Sequence, residues 1–137
     1  MFTSLLATKL YIPVQNIRLV PRPHLIQRLQ DGLAQARRIS LVSAPAGYGK
    51  TLLVVEWLRR AQLPAAWVSL DEGDNDFVRV TRYLIAALQG QHPKVGQSIL
   101  QQFEIAQLPN LEGLLTALVN ELAALPVHTP CVVVLDD

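Results

Sequence analysis

One loop holds the side chains best placed for chemistry, the run Ser-Ala-Pro-Ala-Gly-Tyr-Gly-Lys-Thr at positions 43–51. Gly47 and Gly49 would let the backbone turn its N–H groups inward around phosphate oxygens. Lys50 would place an ammonium on the β and γ phosphates, and the Thr51 hydroxyl would reach a magnesium ion. The spacing fits the phosphate-loop pattern G-x-x-x-x-G-K-[ST], except that Ala44 stands at the first glycine position. The loop predicts a nucleoside triphosphate site; the alternative is an ordinary glycine-rich turn before a helix.

A second motif lies in the last seven residues, an apolar run that ends in Asp136 and Asp137. Continuous apolar runs of this length are typical of buried strands in parallel sheets. Aspartates at the carboxyl end of such a strand would emerge beside the phosphate loop, Asp136 holding Mg²⁺ through water and Asp137 orienting the attacking water. This is a Walker B pattern, and the two motifs support each other.

The elements that must position these motifs follow from hydrophobic periodicity and from the prolines. In chain order, we expect a helix from Pro23 to near Ala36, a strand from Arg38 to Ser43, a helix from Lys50 to about Ala61 and a strand at 65–70. A helix at 77–88, a weaker amphipathic segment at 95–105, a helix at 110–122 and a strand at 131–137 follow. This order predicts an α/β, three-layer P-loop NTPase fold with a parallel sheet, incomplete at its C-terminal side. Residues 1–22 are expected to form an extended lead-in, and 23–137 the N-terminal part of the P-loop domain through Walker B.

An acidic turn, Asp-Glu-Gly-Asp-Asn-Asp at 71–76, follows the second predicted strand. Its glycine and glutamate positions do not match a calcium-binding loop. The simpler interpretation is a solvated turn in which Asp74 or Asp76 caps the next helix. A functional role stays open, because a loop that leaves the carboxyl end of a parallel strand lies on the ligand side of the sheet.

Composition narrows the class of protein. The 137 residues are 50% hydrophobic and 17% charged, with a net charge of +1, which indicates a globular chain and argues against direct DNA binding by these residues. The single cysteine, Cys131, cannot form an internal disulfide, and no apolar run is long enough to span a bilayer. We therefore expect a cytoplasmic protein without a membrane partner.

Several segments together closely resemble the N-terminal ATPase module of the MalT-like regulators, which are large signal-transducing (STAND-class) ATPases of bacteria. The matching segments are Thr8-Lys9-Leu10, Leu19-Val20-Pro21-Arg22, the phosphate loop at 43–51, Ser69-Leu70-Asp71-Glu72-Gly73-Asp74-Asn75 and Val134-Leu135-Asp136-Asp137. The resemblance implies that ATP and an inducer jointly drive self-association, after which a C-terminal LuxR-type helix-turn-helix binds promoter DNA. It also implies that ADP holds the resting form.

The resemblance assigns further site residues. It implies that Val20 and Pro21 give the adenine apolar contact and that Arg22 gives it a polar one. Leu52 stands where the family often has a second threonine, so its backbone N–H is retained toward the α phosphate but a hydroxyl is missing. The residues expected to bind nucleotide are thus Val20, Pro21, Arg22, Ala46, Gly47, Tyr48, Gly49, Lys50, Thr51 and Leu52. Thr51 and Asp136 are the expected Mg²⁺ ligands. Lys50 and Asp137 are the expected catalytic residues.

The chain stops at Asp137, whereas the family's module continues through a sensor residue, a winged helix, a superhelical inducer-binding region and the DNA-binding domain. We therefore expect an N-terminal piece of a longer regulator or a truncated frame. One interpretation is a regulatory ATPase switch that turns over slowly in the full-length protein, while the fragment alone is inactive. The alternative is a non-catalytic remnant that binds nucleotide weakly or not at all. A metabolic kinase is a third possibility, but no stretch suggests an acceptor site or a lid.

Overall fold

The computed structural model describes residues 5–14, 20–37, 39–105, 110–126 and 132–137. The described elements are a 3-10 helix Ala7–Leu10, α1 Pro23–Ala34, α2 Lys50–Ala61, β1 Ala65–Ser69, a 3-10 helix Glu72–Asn75, α3 Phe77–Gln89, α4 Gln97–Ile105, α5 Leu111–Ala123 and β2 Val132–Asp136. The architecture is α/β with a small parallel sheet of two strands in the described part of the chain.

The chain divides into two compact units. The first, called here the sheet unit, comprises Met1–Tyr11 and Ala65–Asp137; the second, the loop unit, is Ile12–Pro64. The chain thus starts in the sheet unit, passes through the whole loop unit and returns to the sheet unit at β1.

Two strands of the sheet unit confirm the sequence prediction of parallel pairing. β1 and β2 run parallel in a register from Ala65 opposite Val132 to Ser69 opposite Asp136. The centre of β1 is buried on both faces, as expected for a parallel strand. β2 is different, because Val133 and Leu135 remain 41% and 57% exposed. The expectation of a buried strand is wrong for β2, since alternate side chains point to a face that the described residues do not cover.

Helices α3, α4 and α5 supply most of the sheet unit's core, through apolar residues at helical spacing such as Ile85, Leu88, Ile99, Leu114 and Leu118. The predicted starts of α3 and α5 are also confirmed. The side chain of Asp76 accepts from the N–H groups of Val78 and Arg79 at the start of α3, and Asn110 accepts from Gly113 at the start of α5. The capping interpretation is therefore confirmed for Asp76.

The loop unit is built on α1 and α2, which begin at the predicted Pro23 and Lys50. Leu53, Trp57 and Leu58 are buried, and the indole N–H of Trp57 donates to Gln30 Oε1 at 3.3 Å, linking the two helices. Proline at the first helical position suits α1, because its missing N–H would have no intrahelical partner there.

The predicted strand from Arg38 to Ser43 is wrong over the part that the structure describes, because residues 39–43 are not a strand. Ile39 and Leu41 are each 87% exposed, and Arg38 lies outside the described residues. An apolar run becomes a strand only when a neighbouring strand accepts and donates its ladder hydrogen bonds. Hydrophobicity alone does not supply that neighbour.

The lead-in at 1–22 also departs from expectation, because Ala7–Leu10 forms a 3-10 helix instead of extended chain. Lys9 in this helix is buried. Residues 1–4 and 15–19 of the predicted lead-in lie outside the described residues. Sequence periodicity could not predict this short turn, since its stability comes from ion pairs with residues far along the chain.

Candidate functional site

The phosphate loop has the backbone conformation that its glycines permit. Gly47 and Gly49 have φ angles of 88° and 75°, in the left-handed region that other residues rarely adopt. Gly49 is the N-cap of α2, whose first residue is Lys50. The twelve-residue helix therefore directs its positive dipole end toward the loop, an arrangement that favours an anion.

Arg22 fixes this loop from the start of α1. Its Nη1 donates to the carbonyl oxygen of Tyr48 at 3.0 Å, and its Nη2 donates to that of Gly49 at 2.8 Å. A planar guanidinium suits two neighbouring carbonyl oxygens, because its N–H groups form a rigid fork. The family resemblance implied only a contact from Arg22 to the adenine; holding the loop is a role that sequence reasoning missed. The adenine contacts of Val20, Pro21 and Arg22 stay predictions, and the Val20 side chain is 79% exposed.

The other predicted binding residues occupy the loop and the first turn of α2. Ala46 and Tyr48 are exposed, whereas Lys50, Thr51 and Leu52 are partly buried on the helix. The N–H of Tyr48 donates to the carbonyl oxygen of Pro45 at 3.4 Å and closes the turn. The loop thus brings the predicted nucleotide-binding residues from 46 to 52 into one continuous segment of the loop unit.

A cavity of about 700 Å³ opens beside the loop, between α1 and residues 37 and 39–44. Its lining includes the basic side chains Arg22, His24, Arg28, Arg37 and Lys50, together with apolar residues of both walls, and none of the described lining residues is acidic. Lining of one charge sign raises the local concentration of ligands of the opposite sign. This wall of the loop unit is therefore suited to an anionic ligand.

The acidic residues of the turn after β1 and of the end of β2 lie at one edge of the sheet unit. Because β1 and β2 are parallel, the turn after β1 and the aspartates that end β2 lie at the same edge. The N–H of Leu70 donates to the carbonyl oxygen of Asp136 at 2.6 Å and extends the ladder beyond β1. Asp136 is partly buried and Asp137 is exposed. The expected position of the acidic turn, at the carboxyl edge of the described strands, is confirmed.

The predicted magnesium ligands belong to different units, Thr51 to the loop unit and Asp136 to the sheet unit. Their meeting at one ion stays a prediction. Among the described residues, no three His, Cys, Asp or Glu side chains cluster in a way that could hold a metal. A phosphate-bound magnesium does not need such a cluster, because water and phosphate oxygens supply most of its ligands.

The acidic turn is stabilised internally by a capping box around its 3-10 helix. The Asp71 side chain accepts from the N–H of Gly73 at 2.8 Å, while the Asp71 N–H donates to Asp74 Oδ2 at 2.8 Å. Reciprocal bonds of this kind satisfy two backbone donors that the short helix cannot. Asp74 therefore faces inward, unlike the solvated side chain that the sequence suggested.

Lys9 reaches this turn from the N-terminal 3-10 helix. Its Nζ donates to Asp74 Oδ2, and also to Asp71 Oδ2 at 3.1 Å. The side chains of Lys9 and Asp74 are only 7% and 3% exposed. Arg79 Nε lies 3.1 Å from the other oxygen of Asp74, and Lys9 Nζ lies 4.6 Å from the centre of the Tyr83 ring. Lys9, Asp71, Asp74, Arg79 and Tyr83 are called here the lysine cluster.

The lysine cluster shifts the titration of its two central members. Burial by itself would raise the pKa of Asp74, but hydrogen bonds from Lys9 and from the Asp71 backbone outweigh it and hold that pKa below its ordinary value. Burial would likewise lower the pKa of Lys9, but the hydrogen bonds to Asp74 and Asp71 outweigh it and raise that pKa. Both groups therefore stay charged at neutral pH.

The family resemblance, unlike hydrophobic periodicity, already singled out the segments that form this cluster. Thr8-Lys9-Leu10 and the acidic turn were two of the segments that carried the family resemblance, although neither belongs to a Walker motif. The structure brings these two segments together across 65 positions of sequence.

Comparison with curated proteins finds similar transcriptional regulators. Over 136 residues, 97% of the chain, the sequence is 38% identical to the HTH-type transcriptional regulator MalT of Cronobacter sakazakii (strain ATCC BAA-894). No family model matches the chain. The chain spans 14% of the length of this curated relative. It is related to MalT-like transcriptional regulators.

Within the described ranges, each helix is too short or too polar to cross a bilayer.

Proposed function

We propose that the chain is the nucleotide-binding switch module of a MalT-like transcriptional regulator, with ATP or ADP bound at residues 46–52. The observation that carries the proposal is the conformation of the loop. Two left-handed glycines stand before the first turn of a helix, and Arg22 donates hydrogen bonds to two carbonyl oxygens of the loop. The positive dipole end of α2 beside this loop favours an anion such as phosphate.

Each predicted residue has a distinct task in this proposal. Lys50 neutralises the β and γ phosphates, and the backbone N–H groups of the loop bind their oxygens. Thr51 and Asp136 are assigned as Mg²⁺ ligands, and the bound ion would neutralise charge on the phosphates. Asp137 would orient the attacking water. The magnesium and water roles rest on the sequence pattern.

The regulatory part of the proposal rests on the relative's name and on the family resemblance. Exchange of ATP for ADP at the loop would switch the regulator between self-associated and resting forms. DNA would be bound by a helix-turn-helix in another part of the regulator. The intact Gly-Lys-Thr sequence and the left-handed glycines favour a working site over the alternative of a remnant that has lost it.

Titration with a fluorescent ATP analogue in the presence of Mg²⁺ tests the proposal. Lys50→Ala removes a charged hydrogen bond worth about 1.5–3 kcal/mol, so binding should weaken roughly tenfold to a hundredfold. Lys94→Ala is the matched control, because Lys94 is an exposed lysine in the sheet unit. Equal affinity of the Lys50→Ala variant and the parent would place the site elsewhere, and no binding by the parent would refute the proposal.

A further inference from the structure

The lysine cluster lies next to the end of the sheet that carries Asp136. Asp71 directly follows Leu70, and the N–H of Leu70 donates to the carbonyl oxygen of Asp136 at 2.6 Å. The position of the Asp136 backbone therefore depends on where the start of the acidic turn is held. Nothing in the Walker patterns accounts for the residues that hold it.

Lys9 is the central cation of that support. It contacts two carboxylates of the turn, at Asp71 and Asp74, and it is the more buried of the two cations that pair with Asp74. Arg79 approaches the other Asp74 oxygen from a side chain that is 44% exposed. An ion pair at the surface contributes little, whereas removing one partner of a buried pair is costly. Lys9 should therefore dominate the geometry of the turn.

The ring of Tyr83 joins the cluster to the helical core. Lys9 Nζ lies over this ring, and the Tyr83 hydroxyl accepts from the N–H of Leu6 at 3.0 Å. Tyr83 itself is buried on α3. The N-terminal 3-10 helix is thus anchored at its backbone and at its charged side chain, so Lys9 presents a fixed ammonium to the turn.

We propose that Lys9 is a positioning residue for Asp136: it holds the acidic turn against the N-terminal 3-10 helix and thereby fixes the carboxyl end of β2. The role toward magnesium rests on the proposed function, whereas the role in positioning β2 does not. Without the ammonium, Asp71 and Asp74 would repel each other beside a single exposed arginine. The Asp71 and Asp74 side chains would then move apart within the turn, and the hydrogen bond from the Leu70 N–H to the Asp136 carbonyl oxygen would open locally.

Hydrogen exchange of individual amides in the 137-residue chain, without nucleotide, tests the positioning directly. Lys9→Met and the isosteric Asp74→Asn should both speed exchange of the Leu70 amide and of the neighbouring turn and β2-end amides about tenfold or more. Exchange at the centre of α4 and α5 should change much less. Lys94→Met, which removes an exposed lysine of the same unit, should change none of these amides.

Leu88→Ala controls for a general loss of stability, because Leu88 is 1% exposed in the core of the sheet unit. It should speed exchange throughout β1, β2 and α3. If Lys9→Met gives that same even pattern, or leaves the Leu70 amide unchanged, Lys9 does not position the end of β2. If Lys9→Met fails to fold, Asp74→Asn keeps the test decisive.

A second measurement compares affinity for the ATP analogue with Mg²⁺ and with EDTA. Residues that orient a metal ligand typically change metal affinity by about 10- to 100-fold. Lys9→Met should therefore reduce the gain in affinity due to Mg²⁺ about tenfold and leave the affinity in EDTA nearly unchanged. If Mg²⁺ raises the affinity of Lys9→Met as much as that of the parent, Lys9 does not position a magnesium ligand. If the parent chain binds no nucleotide, the proposed function fails, and the exchange pattern alone decides whether Lys9 positions Asp136.

Discussion

Arg22 and Gly49 are joined by a hydrogen bond across 27 positions of sequence, from Nη2 to the carbonyl oxygen at 2.8 Å. The same carbonyl oxygen accepts from the N–H of Leu53, which begins the hydrogen-bond ladder of α2. One atom therefore links the arginine, the last glycine of the loop and the helix. A loop held in this way loses less entropy when it binds a ligand.

Arg22→Met should weaken binding of the fluorescent ATP analogue about tenfold, because both hydrogen bonds that hold the loop are lost. Arg59→Met is the control, since Arg59 is an exposed arginine near the far end of α2. Competition by inorganic tripolyphosphate separates two explanations. An equal loss for tripolyphosphate shows that Arg22 acts through the loop, whereas a loss confined to ATP supports the adenine contact.

Substitution of the two loop glycines should have unequal effects. Alanine in the left-handed region costs about 1–2 kcal/mol at either position. A Cβ at Gly49 would also lie 3.2 Å from Arg22 Nη2, whereas one at Gly47 would meet no heavy atom within 4 Å. Gly49→Ala should therefore weaken binding of the ATP analogue more than Gly47→Ala. Equal losses would mean that backbone strain alone matters and that the arginine adjusts freely.

The two aspartates at the end of β2 should separate in function. Asp136→Asn should reduce the magnesium dependence of nucleotide binding, while Asp137→Asn should leave binding nearly intact and slow hydrolysis in a complete regulator. Affinity with and without magnesium, alongside single-turnover hydrolysis, measures both effects. Identical phenotypes would contradict the assignment of separate roles.

The lysine cluster should make the stability of the sheet unit depend on pH at both extremes. The pKa of Asp74 is lower in the folded state than its ordinary 3.8, so its contribution is complete above that pH and is lost as pH falls through the folded value. The pKa of Lys9 is raised above 10.5, so its contribution is complete below that pH and is lost as pH rises through the folded value.

Urea unfolding followed by the fluorescence of Trp67, in a Trp57→Phe background, measures this dependence, because Trp67 is buried in β1 and the chain has two tryptophans. Asp74→Asn should be less stable than the parent at neutral pH, and the difference should shrink in acid. Lys9→Met should likewise differ most at neutral pH and least in strong alkali. A difference that stays constant with pH would show that charge is not what these residues contribute.

Gly96 should be among the least replaceable residues of the sheet unit. Its φ is 76°, and a Cβ there would lie 2.5 Å from Cγ2 of the fully buried Ile85. Gly96→Ala should therefore cost about 1–3 kcal/mol from overpacking, with about 1–2 kcal/mol more from backbone strain. The same unfolding assay measures this loss. Gly113→Ala is the control, because Gly113 lies exposed in α5, where alanine is favoured by roughly 0.5–1 kcal/mol.

The sequence alone determined the local structure around the loop and most of the helices. Pro23, Asp76 and Asn110 mark helix starts through effects confined to a few neighbouring residues, and the glycines of the loop need no distant partner to adopt their conformation. The apolar run of β1 predicted a strand of a parallel sheet, since burial on both faces favours continuous hydrophobic residues. The apolar run of β2 also predicted a parallel strand, although one of its faces stays exposed.

Tertiary structure decided what depends on partners far along the chain. Residues 39–43 resemble a strand in sequence but are not one, because a strand needs hydrogen bonds from a neighbour. Arg22 was assigned to a base contact, yet its hydrogen bonds go to the loop. From the sequence, Lys9 was only a residue of the lead-in and Asp74 only a residue of the acidic turn. The fold brings them together in a buried ion pair. Charges pair according to distance in space, which periodicity along the sequence does not specify.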